Sequence, residues 1–169
     1  MTRRLFFVAL VGLFVTSCAP SSEGPDSNEI LWDSWGVPHI YGVSDADVFR
    51  GMGWAQMESH GDLILRLYGE ARGRAAEYWG EDFLPMDQYL RIMGVPGRGA
   101  EWVEGESPDM QANLEAFAAG VNAYAEAHPE LIAYDVEVVL PVTPADVLSH
   151  ANRAMHFTFM ANAGVMRQA

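Results

Sequence analysis

The residues most able to bind a metal or to transfer a proton near neutral pH are five histidines: His39, His60, His128, His150 and His156. Two histidines share one face of a helix when they are four positions apart, and no pair in this chain has that spacing. Glu58, His60 and Asp62 alternate along the chain, so a helix would spread them around its axis. The sequence therefore predicts no metal site formed by this chain alone.

Charged residues one helical turn apart are the next candidates for chemistry. Glu58 is followed by Asp62 at this spacing, and Arg66 is followed by Glu70. A general acid and base need such neighbours, but solvent-facing helix surfaces and ion pairs have the same spacing. We interpret both pairs as surface or ion-pairing residues rather than as catalytic groups.

The sequence also lacks a recognisable nucleophile with its base. Ser149 is adjacent to His150, and adjacent residues on a helix point to different faces. No serine lies in a G-x-S-x-G elbow, and the sequence contains neither a P-loop nor a G-x-G-x-x-G motif. The residues therefore indicate a chain that depends on a partner for any catalysis.

The composition is that of a folded and strongly acidic domain. The chain has 169 residues, of which 50% are hydrophobic, and this is enough for one domain with a core. Its formal net charge is -13, and all 10 of its basic residues are arginine. Nucleic-acid phosphates repel such a chain, so nucleic-acid binding is disfavoured.

Residues 1–18 have the features of an export signal. A basic start, "MTRR", precedes the apolar run "LFFVALVGLFV" at residues 5–15, which is too short to span a bilayer. The small residues before Cys18 resemble the lipobox of bacterial lipoproteins, which predicts a lipid on Cys18 and a membrane tether. Cleavage nearby, for instance after Ala19, is the alternative. Residues 19–29 are predicted to be a flexible tether. We expect an exported protein that is periplasmic, membrane-anchored or secreted.

The segment that follows the tether predicts a β-hairpin. "EILWD" alternates weakly between apolar and polar residues, and a turn is expected at Ser34 to Gly36. Pro38 favours an extended conformation at Val37, and "HIY" continues it. Because an isolated hairpin is barely stable, we expect this one to pair with something outside the chain.

Capping residues and apolar periodicity predict helices in the rest of the chain. The N-caps are Ser44, Ser107 and Thr143; the first helix continues to about Tyr68 and the second to about Ala127. Shorter helices are predicted in "EARGRAAEYWG" and "DFLPMDQYLRIMG". By contrast, "VPGRGAEWVEGE" is predicted to be a connection and "YDVEVVLPVT" an extended segment. Glycines inside the first helix predict close backbone packing: Gly51, Gly53 and Gly61.

The same segments carry an ordered set of motifs. The hairpin contains a D-x-x-G-V-P-H-I pattern: Asp33, Gly36, Val37, Pro38, His39 and Ile40. The first helix contains a G-x-G-x-A-Q pattern: Gly51, Gly53, Ala55 and Gln56. With the later "PVTPADVL", these motifs resemble the α chain of the penicillin acylase family over residues 30–164. The segment "HGDLILRLYGEARGRAAEYWG" is more similar to the acyl-homoserine-lactone and aculeacin acylase branch than to the penicillin G branch.

The resemblance implies a fold and an activity that need a second chain. Family members are N-terminal nucleophile hydrolases with an α+β, four-layer αββα fold. Residues 30–169 would supply a mostly α-helical α-chain fragment with short N-terminal strands. An exported precursor cuts itself, and the new N-terminal Ser of the β chain attacks an acyl amide. Substrates of this kind are acyl-homoserine lactones, lipopeptides and β-lactam side chains.

The resemblance places no catalytic residue in this chain. A Ca²⁺ ion, where the full enzyme binds one, would take ligands outside it. A lipobox is unusual for the family. Asp33, Gly36, Val37, Pro38 and His39 would lie against the β-chain sheet, and His39 would pack or donate hydrogen bonds rather than catalyse.

Residues near the end of the last helix would line the acyl pocket. Met160 would face the substrate, with Phe157 and Phe159 as neighbours, although packing in the core remains an equal alternative for Met160. Ala163 and Gly164 stand where the penicillin G branch has Arg and Phe. Small residues there would leave room for a longer or differently shaped acyl chain.

Two other functions stay open at this point. The chain could be a lipid-anchored helical domain that binds a partner and catalyses nothing, or an inactive homologue of the acylases. A reading frame that continues and presents a Ser as a new chain start would favour the enzyme.

Overall fold

The structure, a computed structural model, describes residues 27–160, without the side chains of Phe159 and Met160. Its strands are β1 (Glu29–Trp32) and β2 (Pro38–Tyr41). Its helices are α1 (Asp45–Ala71), α2 (Ala75–Trp79), α3 (Leu84–Ile92), α4 (Val95–Gly105), α5 (Pro108–Ala127) and α6 (Pro144–Met155). Short 3-10 turns cover Glu81–Phe83, Pro129–Leu131 and Glu137–Val139. None of the described helices is long and apolar enough to cross a membrane. The predicted leader, including Cys18, lies outside the described residues.

The predicted hairpin is confirmed. Strands β1 and β2 pair antiparallel, with Ile30 opposite Ile40. In the turn, the Asp33 carboxylate accepts hydrogen bonds from the backbone amides of Trp35 at 2.8 Å and Val37 at 2.9 Å. Gly36 follows with a φ of 75°, which a residue with a side chain rarely adopts. The Asp-x-x-Gly spacing is thus a turn signature.

Helix α1 begins where its cap predicts. The Ser44 hydroxyl accepts a hydrogen bond from the Asp47 amide, and the Asp47 carboxylate accepts one from the Ser44 amide, which completes a capping box. The helix continues to Ala71, three residues beyond the expected end at Tyr68, with a kink at His60. This length lets one helix contact the hairpin, α5 and α6.

The main core lies between α1 and α5, and glycines allow the two helices to touch. A Cβ on Gly53 would lie 2.1 Å from the Phe117 carbonyl oxygen, and one on Gly120 would lie 2.0 Å from the Arg50 carbonyl oxygen. The close packing predicted at Gly53 is therefore confirmed. The residues that cluster around this contact are largely buried: Met57, Leu65, Tyr68, Phe117, Val121, Tyr124, Val136 and Val139.

The predicted connection at "VPGRGAEWVEGE" is wrong, because residues Val95–Gly105 form helix α4. The preceding Gly94 has a φ of 70° and ends α3, and Pro96 lies in the first turn of α4. Gly99 faces α6, and a Cβ there would lie 2.7 Å from the Ala145 carbonyl oxygen. The glycine that suggested a loop instead permits contact between two helices.

The predicted extended segment "YDVEVVLPVT" is also wrong. It forms turns and the 3-10 turn Glu137–Val139, which bury Val136 and Val139 against the core. The prediction for the next element is confirmed: the Asp146 carboxylate accepts hydrogen bonds from the Thr143 amide and hydroxyl, both at 2.8 Å, as α6 begins. The chain between α5 and α6 is therefore compact rather than extended.

Candidate functional site

Helix α6 changes its pitch at the position where the sequence predicts acyl-pocket residues. Regular α-helix ends at Met155, and residues His156–Met160 form a π-helical turn. Such turns insert one residue into the helical ladder and are frequent at functional sites. The backbone that carries Phe157, Phe159 and Met160 is thus an irregular helix end.

Phe157 is the predicted pocket residue whose surroundings are described. Its half-buried ring lies 5.6 Å from the Tyr89 ring of α3, between centroids, and the Arg153 guanidinium carbon lies 5.2 Å from its centroid. The side chains of Phe159 and Met160, and the whole of Ala163, lie outside the described residues. The choice between pocket and core for Met160 therefore stays open.

Arg153 is held by an acidic residue from another helix. Its guanidinium pairs with the Glu70 carboxylate of α1, and both side chains are about 15% exposed. The Arg66 side chain pairs instead with Asp135 and stacks on Trp79 at 4.5 Å. The interpretation of Arg66 and Glu70 as ion-pairing residues holds, but each pairs across elements rather than with the other.

Buried polar atoms without hydrogen-bond partners occur on this same segment. Within residues 27–160, four such side-chain atoms are found: His150 Nδ1, Asn152 Nδ2, Arg153 Nε and His156 Nδ1. Leaving a buried polar group unpaired costs about 1–3 kcal/mol. Within the described residues, buried polar atoms without hydrogen-bond partners are therefore concentrated toward the end of α6.

Ser149 and His150 do not form a nucleophile and base. The Ser149 hydroxyl points to α4, 3.5 Å from the Pro96 carbonyl oxygen, whereas the His150 ring packs on Tyr68 of α1 at 5.7 Å. Burial and the nearby Arg153 lower the pKa of His150, so its ring is neutral at neutral pH. The prediction that these neighbours face different ways is confirmed.

The hairpin motif has the geometry of a structural element. Hydrogen bonds from the Val37 and Trp35 amides, together with the nearby His39, lower the pKa of Asp33. The His39 Nε2 atom lies 3.6 Å from an Asp33 carboxylate oxygen, and the His39 side chain is 52% exposed. His39 thus lies beside the turn with about half of its side chain exposed, and its packing or hydrogen-bonding role stays a prediction.

The hairpin and the residues next to it expose apolar side chains. Trp35 is 89% exposed and Val43 is 67% exposed, and further large apolar side chains of this region are also exposed: Leu31, Trp32, Val37 and Tyr41. A shallow groove lies between β2 and α1, lined among others by Pro38, Ile40, Met52 and Gln56. Exposed apolar surface of this kind marks a contact site for another protein surface.

The described residues do not fit a metal ion. In the part of the chain that the structure describes, no three His, Cys, Asp or Glu side chains are grouped to bind one. The expectation that a Ca²⁺ ion of the full enzyme takes its ligands outside this chain stays a prediction.

Sequence reasoning did not identify Tyr89 and Arg153 as neighbours of Phe157, or Glu70 as the partner of Arg153. The spacing of Arg153 and Phe157, four positions apart on one helix, is a signal that could have paired those two. The contacts with Tyr89 and Glu70 cross long stretches of sequence, and no local pattern predicts them.

The fold is similar to that of a protein of known structure. In the solved structure of a thermostable penicillin G acylase from Alcaligenes faecalis, one chain matches with a TM-score of 0.70 and 25% identity. The match covers 83% of this chain and 78% of that one.

Three curated relatives that match part of this chain are named as acylases. Penicillin acylase 2 proenzyme of Pseudomonas sp. (strain SE83) is 35% identical over 95 residues, or 54% of this chain and 12% of that protein. Acyl-homoserine lactone acylase QuiP of Pseudomonas fluorescens (strain Pf0-1) is 29% identical over 92 residues, or 54% of this chain and 11% of that protein. Penicillin G acylase of Escherichia coli is 26% identical over 106 residues, or 63% of this chain and 12% of that protein. The matched region thus spans about an eighth of these relatives.

The family model described as Penicillin amidase matches residues 27–169, which include the hairpin motif, every described helix and the end of α6. The resemblance carried by the hairpin and helix motifs is confirmed, as is the mostly helical fold with a short sheet. This chain belongs to the penicillin amidase family.

Proposed function

We propose that the full-length protein is an exported amide hydrolase and that this chain supplies its α-chain portion. The observation that carries the proposal is the family match over residues 27–169, together with a fold like that of one chain of a penicillin G acylase. The substrates would be acyl amides: acyl-homoserine lactones, lipopeptides or β-lactam side chains.

The chemistry would use a nucleophile outside this chain. The hydroxyl oxygen of a β-chain N-terminal Ser attacks the amide carbonyl carbon, and the α-amine of that Ser takes the hydroxyl proton. The C–N bond then breaks, and the amine product leaves with a proton. Water hydrolyses the resulting acyl ester, which releases the acid and restores the Ser hydroxyl.

This chain would bind the acyl group. Phe157, Phe159, Met160 and Ala163 form the wall of the acyl pocket in this proposal, and the irregular helix end that carries three of them supports it. Replacing Ala163 with Phe would fill the space proposed for the acyl chain. We expect Ala163→Phe to shift the preference toward shorter acyl chains, by about tenfold in the ratio of kcat/KM values. An unchanged preference would contradict the role of Ala163.

The partner chain would cover the hairpin. Exposed apolar side chains on β1 and β2 support this, and the turn built on Asp33 presents them on one compact element. The same precursor would supply this β chain. A lipid on Cys18 would tether the protein to a membrane, and removal of residues 1–17 would make Cys18 the N-terminus of the exported protein.

The first experiment is to purify the product of the full reading frame and to determine its intact mass and N-terminal sequences. Two co-purifying chains, the larger beginning with Ser, and release of an amine from an acyl-homoserine lactone or a penicillin would support the proposal. Replacement of that Ser by Ala should abolish both chain cleavage and amine release. A single lipidated chain beginning at Cys18 that hydrolyses no amide would contradict the proposal and favour the binding domain.

A further inference from the structure

The Phe157 ring is connected to two other helices through its neighbours. Tyr89 of α3 contacts it directly, with ring centroids 5.6 Å apart and planes inclined by 43°. Arg153 contacts it from the preceding turn of α6, and Arg153 is itself paired with Glu70 of α1. The ring is thus linked to α3 on one side and, through Arg153, to α1.

The Arg153 side chain makes two different contacts at once. Its terminal nitrogen pairs with the Glu70 carboxylate, while its guanidinium carbon lies 5.2 Å from the Phe157 ring centroid. A planar guanidinium can bind a carboxylate and also stack on a ring, whereas a lysine ammonium is a point charge. Because both charged side chains are largely buried, solvent screens their interaction less than it screens a surface pair.

Phe157 lies in a π-helical turn and not in regular α-helix. The π-helical turn begins at His156, immediately before it. A π-turn interrupts the regular ladder of hydrogen bonds that otherwise fixes side-chain directions. The orientation of the Phe157 ring therefore depends more strongly on its contacts with Tyr89 and Arg153.

We propose that Arg153 and Tyr89 are positioning residues that orient Phe157 and thereby set the acyl-chain preference of the enzyme. This inference rests on the proposed function, because Phe157 is assigned to the acyl pocket there. Neither Arg153 nor Tyr89 touches the substrate in this proposal; both act through the ring.

The chain provides a matched control for Arg153. Arg66 also combines an acidic partner with an aromatic ring, Asp135 and Trp79, but it lies in the C-terminal part of α1, and neither of these partners is Phe157. The test variants, made in the full-length protein, are Arg153→Lys and Tyr89→Leu. The controls are Arg66→Lys and Tyr89→Phe, which keeps the ring.

Two measurements are made on every variant. The first is the ratio of kcat/KM values for a long-chain and a short-chain acyl-homoserine lactone. The second is the fluorine NMR shift of 4-fluorophenylalanine placed at position 157, which reports ring surroundings without requiring activity. Arg153→Lys and Tyr89→Leu should each change the ratio by about tenfold and move the fluorine signal. Arg66→Lys and Tyr89→Phe should change neither.

The two measurements separate this inference from the proposed function. A wild-type protein that hydrolyses no acyl amide would contradict the proposed function, and the fluorine signals would still show whether Arg153 and Tyr89 orient the ring. A signal that stays in place in both test variants overturns the inference. The inference is also overturned if Arg66→Lys changes the kcat/KM ratio and the fluorine signal as much as Arg153→Lys does. A fluorine signal that moves in the test variants of an active enzyme while the kcat/KM ratio stays unchanged overturns it as well. Arg153→Lys keeps the positive charge that pairs with Glu70, so we expect this variant to fold.

Discussion

The two ends of helix α6 differ in how completely their polar groups are paired. At the start, the Asp146 carboxylate accepts hydrogen bonds from Arg72 Nε at 2.7 Å and Arg72 Nη2 at 2.8 Å, and from the Thr143 amide and hydroxyl. At the end, Asn152, Arg153 and His156 each bury a nitrogen that has no partner within residues 27–160. One end of the helix is completed by the described chain, and the other is not.

We interpret the fully paired start of α6 as scaffold and its incompletely paired end as part of the candidate site. A buried charge that is fully paired is costly to disturb and has little freedom to serve chemistry. A helix end with unpaired groups has capacity to contact something further, such as a substrate, a water molecule or a partner chain. Variants of the purified full-length protein should therefore respond differently at the two ends of α6.

The largest effect is expected from Arg72→Met, which breaks the pair at the start of α6. The Asp146 carboxylate is 8% exposed and would lose its countercharge, so the free energy of unfolding should fall by about 3–5 kcal/mol. Denaturant titration measures it. Arg74→Met is the control, because Arg74 and Glu77 form an exposed pair and its loss should leave little or no measurable change. Equal losses in the free energy of unfolding for Arg72→Met and Arg74→Met would contradict the expected difference between a buried and an exposed ion pair.

Gly99→Ala tests the contact between α4 and the middle of α6. The new Cβ would lie 2.1 Å from the Ser149 hydroxyl oxygen and 2.7 Å from the Ala145 carbonyl oxygen, so the helices must separate. We expect a loss of about 1–3 kcal/mol in the free energy of unfolding. Gly97→Ala, two positions earlier in the same helix, meets no atom within 4 Å and should be neutral or stabilising. A stability loss in Gly97→Ala as large as that in Gly99→Ala would contradict the steric explanation.

Substitution of two asparagines compares paired and unpaired amides directly. Asn122 donates to the Val142 carbonyl oxygen at 2.9 Å and accepts from the Val142 amide at 2.8 Å, so Asn122→Leu should cost about 1–3 kcal/mol. Asn152→Leu removes an amide whose nitrogen has no partner in the described residues, and its effect should be near zero. Thermal unfolding of both variants measures the difference. A larger loss in Asn152→Leu would mean that residues beyond the described part already complete this end of α6.

The smallest effect is a pH dependence that originates at the start of α6. Burial disfavours the charged form of Asp146 and so raises its pKa. Hydrogen bonds from Arg72 and Thr143, together with the positive charge of Arg72, outweigh this effect and hold the pKa of Asp146 below its ordinary value. A lowered pKa in the folded state gives stability that is complete above about pH 4 and is lost as the pH falls further. The stability difference between wild type and Asp146→Asn should therefore shrink below that pH. A constant difference between pH 6 and pH 3, measured by denaturant titration at about those pH values, would contradict the assignment.

Local signals predicted much of this fold. The turn at Ser34 to Gly36 and the caps at Ser44, Ser107 and Thr143 depend on residues a few positions apart, and the structure confirms each. Local signals also misled where tertiary contacts decide the outcome. The segment "VPGRGAEWVEGE" was predicted to be a connection but forms α4, in which Gly99 contacts α6, and "YDVEVVLPVT" was predicted to be extended but forms turns.

The candidate site was less predictable for a physical reason. Phe157 was proposed as a neighbour of Met160, the residue that the family resemblance places in the pocket, but the residues that contact Phe157 or its neighbour Arg153 include some from far along the chain. Glu70 and Arg153 are 83 positions apart, and Arg72 and Asp146 are 74 positions apart. No hydrophobic period or capping rule reports such pairs. The π-turn is likewise a departure from regular geometry that sequence periodicity does not reveal.

The separation of Arg72 from Asp146 also has a consequence in time. Ribosomes add about 5–20 residues per second, so Asp146 is synthesised about 4–15 s after Arg72, given the 74 positions between them. Throughout that interval α1 is present without the helix that later binds its last turn. The newly made chain must stay soluble with this side of α1 uncovered, and any chaperone that escorts it has these seconds in which to act.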